Sequence, residues 1–183
     1  NNNNDNNNNY LASSLTCAVL AHHATCLADT LASELGMLAT QSPVLIIAPW
    51  KKVPPGTNGG ITLWGTLCSA IGGALMGLGT VLMDYFSGLS NHSAVTVILY
   101  GTTCGLIGSL ADSVLGAILQ VTYLDPQTKK VHHEMHAGFK HISGFNIFTN
   151  VQVNFVSICF TVALGGWVIG PAMFTSGLPV SVS

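Results

Sequence analysis

Apolar residues are arranged along the chain in four long segments, separated by polar loops. The segments occupy residues 10–38, 61–86, 93–123 and 151–174. Each is near or above the ~20 residues that an α-helix needs to cross the hydrocarbon core of a bilayer. The second segment has no charged residue before Asp84, and the fourth has none at all. The pattern predicts an all-α fold, a polytopic bundle of about four transmembrane helices.

The composition agrees with a membrane protein. Hydrophobic residues make up 49% of the chain and charged residues only 7%, whereas soluble domains carry about a quarter charged residues. The formal net charge of -2 is too small to indicate nucleic acid, so the lipid bilayer is the expected partner. The five cysteines lie within apolar stretches and lack the paired spacing of a zinc site.

The chain begins with an asparagine-rich run. Residues 1–9 are all asparagine except Asp5. A run without apolar residues cannot bury enough surface to offset the entropy lost on ordering. We therefore predict a disordered segment at 1–9 and a transmembrane domain over 10–183, and we expect the natural N-terminus to lie further upstream.

All of the lysines lie in two of the loops. Lys51 and Lys52 follow the first apolar segment, and Lys129, Lys130 and Lys140 follow the third. If all four segments span the membrane, both loops lie on one side, which the positive-inside rule predicts to be cytoplasmic or its equivalent in an organelle. The organelle itself stays open, with the endomembrane system and the plastid envelope both possible.

Three carboxylates lie within the apolar segments. Asp29 and Glu34 belong to the first segment and Asp112 to the third. A carboxylate facing lipid would cost a few kcal/mol, so these side chains are expected to face protein or water. Asp112 also lies on a stripe of glycines, a pattern that lets neighbouring helix backbones approach closely. We expect it to point into the bundle.

A turn-rich loop precedes the second segment. It reads Lys52-Val53-Pro54-Pro55-Gly56-Thr57-Asn58-Gly59-Gly60-Ile61-Thr62. Its backbone amides and the following helix N-terminus could bind a phosphate, with Lys52 as the counter-charge. The loop is not a Walker A motif, because no Gly-Lys-Ser/Thr closes it. A Pro-Gly turn that merely caps a membrane helix would look much the same.

Most of the intramembrane polar residues are expected at the lysine-bearing end. Asn150 and Asn154 share one face at the start of the fourth segment, after Lys140 and His141. Acids, amides, lysines and a glycine-rich loop gathered at one end suit a divalent cation that holds a phosphorylated ligand.

Three ordered motifs carry a family resemblance. They are Ala28-Asp29-Thr30-Leu31-Ala32-Ser33-Glu34-Leu35-Gly36, Val53-Pro54-Pro55-Gly56-Thr57-Asn58-Gly59-Gly60-Ile61-Thr62 and Gly108-Ser109-Leu110-Ala111-Asp112-Ser113-Val114-Leu115-Gly116-Ala117. With these motifs the chain resembles the C-terminal portion of the transmembrane protein 19 family, which includes the plant phytyl-phosphate kinase. The resemblance implies a multi-pass membrane protein. For the plant branch it also implies phosphoryl transfer from a nucleoside triphosphate to an isoprenoid monophosphate.

The chain departs from the family pattern near the fourth segment. Thr149 stands where the family usually has an acid, and Val151 stands where it has an amide. The change at Thr149 removes one possible cation ligand.

Two classes of function follow as hypotheses. In an isoprenyl-monophosphate kinase, Asp29, Glu34 and Asp112 would bind Mg²⁺ together with CTP or ATP. The phosphates would be bound by Lys52, Gly56, Thr57, Asn58, Gly59, Gly60 and Thr62. The acceptor would be oriented by Ser33, Ser113, His141, Asn150 and Asn154. Alternatively, the same acids would form the site of an ion- or proton-coupled carrier, or the protein would be non-catalytic.

Overall fold

The computed structural model describes residues 2–88 and 92–174 and contains four long helices in that part of the chain. They are α1 (Asn2–Gly36), α2 (Leu63–Ser87), α3 (Ala94–Leu119) and α4 (Asn150–Leu164), and α4 continues through a π-helical turn (Gly165–Ile169) into α5 (Gly170–Met173). Four spans are long and apolar enough to cross a membrane: Tyr10–Gly36, Leu63–Ser87, Ala94–Leu119 and Asn150–Met173. The predicted polytopic helix bundle is thereby confirmed.

The two lysine-bearing loops contain short strands that the sequence did not predict. The first loop holds β1 (Val44–Leu45), β2 (Ala48–Lys52) and β3 (Gly60–Ile61), and the second holds β4 (Thr122–Leu124), β5 (Val131–His132) and β6 (Lys140–Ser143). Each set forms a small antiparallel sheet, in the orders β2-β1-β3 and β5-β4-β6. Strands of two to five residues are too short to show a clear alternation of apolar and polar positions.

The helix ends correct the predicted boundaries. Helix α1 already begins at Asn2, where the sequence predicts disorder. Asparagine is a poor helix former, but extending a nucleated helix adds one hydrogen bond for each residue fixed. Helix α3 ends at Leu119 rather than at residue 123, because Gln120 is extended and Thr122–Leu124 pairs as β4. Asn1, residues 89–91 and the predicted domain end at 175–183 lie outside the described residues.

Close backbone packing joins α2 to α1 and α3. A Cβ atom added at Gly72 would lie 2.8 Å from the Cα atom of Ala28, and one at Gly77 would lie 2.7 Å from the Cα atom of Ile98. The obstructing atoms are backbone, so they cannot rotate away. Only glycine permits this spacing of the helices.

The end of the bundle remote from the loops is closed by apolar packing. Tyr100 is fully buried in a cluster with Cys17, Ala21 and Cys104. Its hydroxyl donates to the backbone carbonyl of Cys17 at 2.9 Å, so its polar atom is satisfied. A Cβ atom at Gly165, in the π-helical turn, would lie 2.7 Å from that hydroxyl. The turn therefore sits directly against α1 and α3.

The two lysine-bearing loops meet at the opposite end, which we call the loop end. The Nζ atom of Lys51 donates to the carbonyl oxygen of Ile142 at 2.8 Å, joining β2 to β6. The backbone N–H of Asn58 donates to the Thr122 hydroxyl at 3.2 Å, which joins the glycine-rich loop to β4. These contacts hold the loops together over the ends of α1 and α3.

Candidate functional site

A cavity of about 320 Å³ lies at the loop end of the bundle. The last turns of α1 and α3, the first turns of α2 and α4 and the glycine-rich loop form its walls. The residues predicted for the site that line it are Asp29, Ser33, Glu34, Gly56, Thr57, Asn58, Gly59, Gly60, Thr62, Asp112, Ser113, Asn150 and Asn154. The cavity therefore joins residues that are distant in sequence but share the loop end.

Two aspartates in the cavity are held in matching ways by a neighbouring helix. Ser109 of α3 donates its hydroxyl to Oδ1 of Asp29 at 3.3 Å, and Ser157 of α4 donates to Oδ1 of Asp112 at 3.1 Å. With its amide nitrogen facing the acceptors, Asn154 also donates to Oδ1 of Asp112 at 3.0 Å. Among the described residues, no hydrogen bond falls on Oδ2 of either aspartate. One oxygen of each carboxylate is fixed and the other is available to a ligand.

The third predicted carboxylate is placed differently. Glu34 lines the cavity but its side chain is exposed, whereas Asp29 and Asp112 are half-buried. No group of three His, Cys, Asp or Glu side chains arranged to hold a metal ion occurs in residues 2–88 and 92–174. The predicted set of three acidic ligands is thus not assembled.

The donor set nevertheless fits Mg²⁺. This ion is usually held by one or two carboxylates, with water and substrate phosphates in the other positions. Asp29 and Asp112 both line the cavity. They would supply two hard oxygen ligands, and the cavity leaves room for the rest.

The glycine-rich loop is pinned in place by its own amides. The N–H groups of Thr57 and Gly60 donate to the carbonyl oxygens of Pro54 and Thr57. The side-chain nitrogen of Asn58 donates to the carbonyl oxygen of Val121 at 3.2 Å. Several of the amides predicted to hold phosphate are therefore already engaged, and the loop serves first as a rigid wall between α2 and α3.

Thr62 has a clear structural role at the start of α2. It is the N-cap residue, and its Oγ1 atom accepts the N–H of Gly65 at 2.9 Å. The N–H groups of the first helical turn ahead of Gly65 have no intrahelical partner, as at every helix start. They point out of the N-terminus that the cavity adjoins, where the helix dipole favours an anion.

Two residues predicted for the site lie away from the cavity. Lys52 is exposed in β2, paired with Val44, and His141 is exposed in β6, where its Nε2 atom bonds the carbonyl oxygen of Gly144 at 2.8 Å. Neither lines the cavity. Strand pairing places Lys52 at the edge of the sheet. Its position next to the glycine-rich loop in the sequence does not predict this placement.

Thr149 also lies outside the cavity lining, although the family has an acid there. It is the N-cap of α4 and forms a capping box with Gln152. Threonine performs this role well, as aspartate would. Threonine at this position therefore serves the start of α4 rather than the cavity.

Sequence reasoning missed three side chains of the site: Ser109, Ser157 and Gln120. Ser157 was detectable, because it continues the helical face that Asn150 and Asn154 begin. Gln120 was not, because its role depends on residues more than twenty positions further along. Its Nε2 atom donates to Oδ1 of Asn150 at 3.3 Å.

The charge of the cavity is one-sided. Among the described residues, its lining includes Asp29, Glu34 and Asp112 but no lysine, arginine or histidine. The lysines lie outside it, on the loops. A bare phosphate would be repelled by such a lining, whereas a phosphate carrying a divalent cation would be attracted.

In the second loop, outside the membrane spans, one carboxyl group has a shifted pKa. The hydroxyl of Thr128 donates to Asp125 at 2.6 Å, and the N–H of Gln127 donates to it at 2.8 Å. These hydrogen bonds lower the pKa of Asp125 below its ordinary value. The carboxylate closes the turn that precedes Lys129, a residue with a positive φ of 59°.

The helix bundle defines the chain as an integral, multi-pass membrane protein with an acidic cavity at one end. It belongs to the family described as Integral membrane protein DUF92, which it matches over residues 2–162. It is 36% identical to Protein PGR of Arabidopsis thaliana, over 82% of this chain and 54% of that protein. The predicted resemblance to the transmembrane protein 19 family is confirmed by these matches.

Two microbial relatives are also similar. An uncharacterized membrane protein of Methanocaldococcus jannaschii is 38% identical, over 50% of this chain and 35% of that protein. One of Synechocystis is 33% identical, over 58% of this chain and 38% of that protein. The chain thus spans about half the length of Protein PGR and about a third of each microbial protein is matched. No solved structure matches it.

Proposed function

We propose that this protein is an isoprenyl-monophosphate kinase, which transfers a phosphoryl group from a nucleoside triphosphate at the loop end of the bundle. The observation that carries the proposal is the pair Asp29 and Asp112. Each has one carboxylate oxygen fixed by a neighbouring helix and the other available, in a cavity where the described part of the chain places no cationic side chain. Such a site suits a phosphate that arrives with Mg²⁺.

The chemistry asks little of the protein beyond position and charge. The bond between the γ-phosphorus and its bridging oxygen breaks, a phosphate oxygen of the acceptor bonds to that phosphorus, and a nucleoside diphosphate leaves. A phosphate monoester has a second pKa of about 6, so the attacking oxygen is already deprotonated at neutral pH. No general base is required, and Mg²⁺ would supply the neutralisation of charge.

The protein's own side chains would fix the reactants. Asp29 and Asp112 would hold the metal complex, and the N-terminus of α2 would face phosphate oxygens beside the rigid glycine-rich loop. Asn150 would contact the acceptor phosphate from the start of α4, and Asn154, whose amide donates to Asp112, would hold that carboxylate in place. The cavity of about 320 Å³ suits phosphate groups and a metal. The isoprenoid chain would extend between the helices into lipid.

The isoprenoid acceptor rests on the family resemblance and on the membrane setting. A phosphate group at the loop end, attached to a tail in the bilayer, matches a polar cavity at the end of apolar helices. The nucleotide, CTP or ATP, would enter from the side of the lysine-bearing loops.

The test is a kinase assay on the full-length protein in detergent or nanodiscs. Phytyl or geranylgeranyl monophosphate is incubated with Mg²⁺ and either CTP or ATP, and the isoprenyl diphosphate is separated and quantified. Product is expected with wild type and is expected to be lost in Asp112→Asn. The matched control is Asp84→Asn, at the opposite end of α2 and outside the cavity lining.

A carrier would transport an ion and would not bind nucleotide. Its acids would bind a proton or cation without nucleotide, so Asp112→Asn would abolish coupled flux in proteoliposomes while no nucleotide bound. Absence of diphosphate with every donor and acceptor, together with such flux, would overturn the kinase proposal.

A further inference from the structure

Gln120 lies between α3 and β4, and two glycines pack closely around it. It is 7% exposed. A Cβ atom at Gly116, one turn earlier, would lie 2.8 Å from the Oε1 atom of Gln120, and a Cβ atom at Gly144 would collide with the Gln120 backbone carbonyl group. The Gln120 side chain therefore extends into the space beside Gly116, and Gly144, which directly follows β6, packs against the Gln120 backbone.

The buried side-chain amide of Gln120 donates a hydrogen bond to a residue of α4. The Nε2 atom of Gln120 donates to Oδ1 of Asn150 at 3.3 Å. Because the Oδ1 atom of Asn150 accepts from Gln120, its Nδ2 group is the part of the amide that remains, and among the described residues it makes no hydrogen bond. Asn150 lines the cavity, so an N–H donor is left for a ligand there.

Asn150 is also connected to the aspartate pair. The backbone carbonyl of Asn150 accepts the amide of Asn154 at 3.0 Å, and that amide also donates to Oδ1 of Asp112. Asn150 thus connects Gln120, through its side chain, with Asn154 and Asp112, through its backbone carbonyl.

We propose that Gln120 is a positioning residue that fixes the amide of Asn150, so that its Nδ2 donor faces the phosphate of the isoprenyl acceptor. The inference rests on the proposed function for the identity of that ligand. It deepens the function by naming the side chain that sets the direction of the donor. Gln120 contacts Asn150 and also lines the cavity, and Asn150 would contact the acceptor.

Glutamate at position 120 is the sharpest perturbation, because it has nearly the same shape but no N–H donor when ionised. Asn150 would then turn its amide to donate to the carboxylate, and its Oδ1 atom would face the acceptor phosphate. A donor in the cavity is replaced by an acceptor, and a further negative charge is added. Protonated glutamate, by contrast, can donate and restores the original direction.

The test measures binding of geranylgeranyl monophosphate to the full-length protein in the presence of Mg²⁺. Gln120→Glu is expected to raise the Kd about 10- to 100-fold at pH 7.5, the range of a lost hydrogen bond to a charged group. The ratio of the variant's Kd to that of wild type should fall toward one at pH 5.5, where glutamate protonates more readily. Gln127→Glu, on the exposed turn of the second loop, is the matched control and should bind as wild type does.

A second measurement does not depend on any ligand. The melting temperatures of Gln120→Ala, Asn150→Ala and the double variant form a cycle, and the two single losses should not add, because they remove the same hydrogen bond. Additive losses would overturn the contact, and an unchanged Kd in Gln120→Glu would overturn its role in binding. A wild-type protein that binds the monophosphate but makes no diphosphate would refute the kinase and leave the inference standing.

Discussion

Gly59→Ala tests how the glycine-rich loop is fitted against α3. Gly59 has a φ of +72°, and a Cβ atom there would lie 2.6 Å from the Ser113 carbonyl oxygen and 2.7 Å from the Ala117 Cα atom. The left-handed backbone costs alanine about 1–2 kcal/mol. Overpacking against a wall that is partly backbone adds roughly 1–3 kcal/mol. The total is about 2–5 kcal/mol.

Gly56→Ala is the control that separates the two contributions. Gly56 lies in the same loop with a φ of +83°, but its nearest neighbour would be the Val131 Cβ atom at 4.0 Å. It should therefore show the backbone cost alone. The difference between the variants, about 1–3 kcal/mol, corresponds to a melting temperature roughly 2–12 °C lower for Gly59→Ala.

The assay is thermal unfolding of the purified protein in detergent, followed by tryptophan fluorescence. Gly59→Ala should also weaken ligand binding in the cavity, because Gly59 and Ser113 are both part of its lining. Equal melting temperatures for the two variants would refute the reasoning, since the loop would then have space against α3 that the structure does not give it.

Three further predictions concern other parts of the bundle. Gly73→Ala should be about 1–3 kcal/mol less stable than Gly79→Ala in the same thermal assay. A Cβ atom at Gly73 would contact the backbone of α3, whereas one at Gly79 would have no described atom within 4 Å. Equal stability of the two variants would contradict the close packing. Thr149→Ala should lose about 1 kcal/mol, because it removes the capping box with Gln152 at the start of α4; an unchanged melting temperature would contradict that cap. The Asp125 carboxyl should titrate below its ordinary pKa of 3.8 in an NMR titration, since its hydrogen bonds favour the charged form. Its stabilisation of the turn is then complete above the unfolded pKa and is lost as the pH falls through the lower, folded value; a midpoint at or above 3.8 would contradict this.

The helices could be predicted because each needs only a local property, about twenty consecutive apolar residues. The predicted gathering of Asp29, Asp112, Asn150 and Asn154 followed from the same logic, because a span fixes which residues reach which end. The disorder predicted for residues 1–9 rested on composition alone. The composition of a segment does not show whether a neighbouring helix can be extended into it.

The rest depended on contacts between the loops. Lys52 is next to the glycine-rich loop in sequence, yet strand pairing with Val44 carries it to the sheet edge. Gln120 acquires its role only because Gly144 and Asn150, from the far side of the second loop, pack against it. Pairings of this kind leave no periodic signal in the chain.

Manganese binding tests the central claim most directly, because Mn²⁺ can replace Mg²⁺ and its free form is measured by electron paramagnetic resonance. In the presence of geranylgeranyl monophosphate or nucleotide, the wild-type protein should bind Mn²⁺ saturably at one site, and Asp29→Asn and Asp112→Asn should each abolish that binding. Ser157→Ala should weaken it about 10- to 100-fold, as expected for a side chain that orients a metal ligand, whereas Asp84→Asn should leave it unchanged. Equal Mn²⁺ binding in wild type and in both aspartate variants would contradict the account.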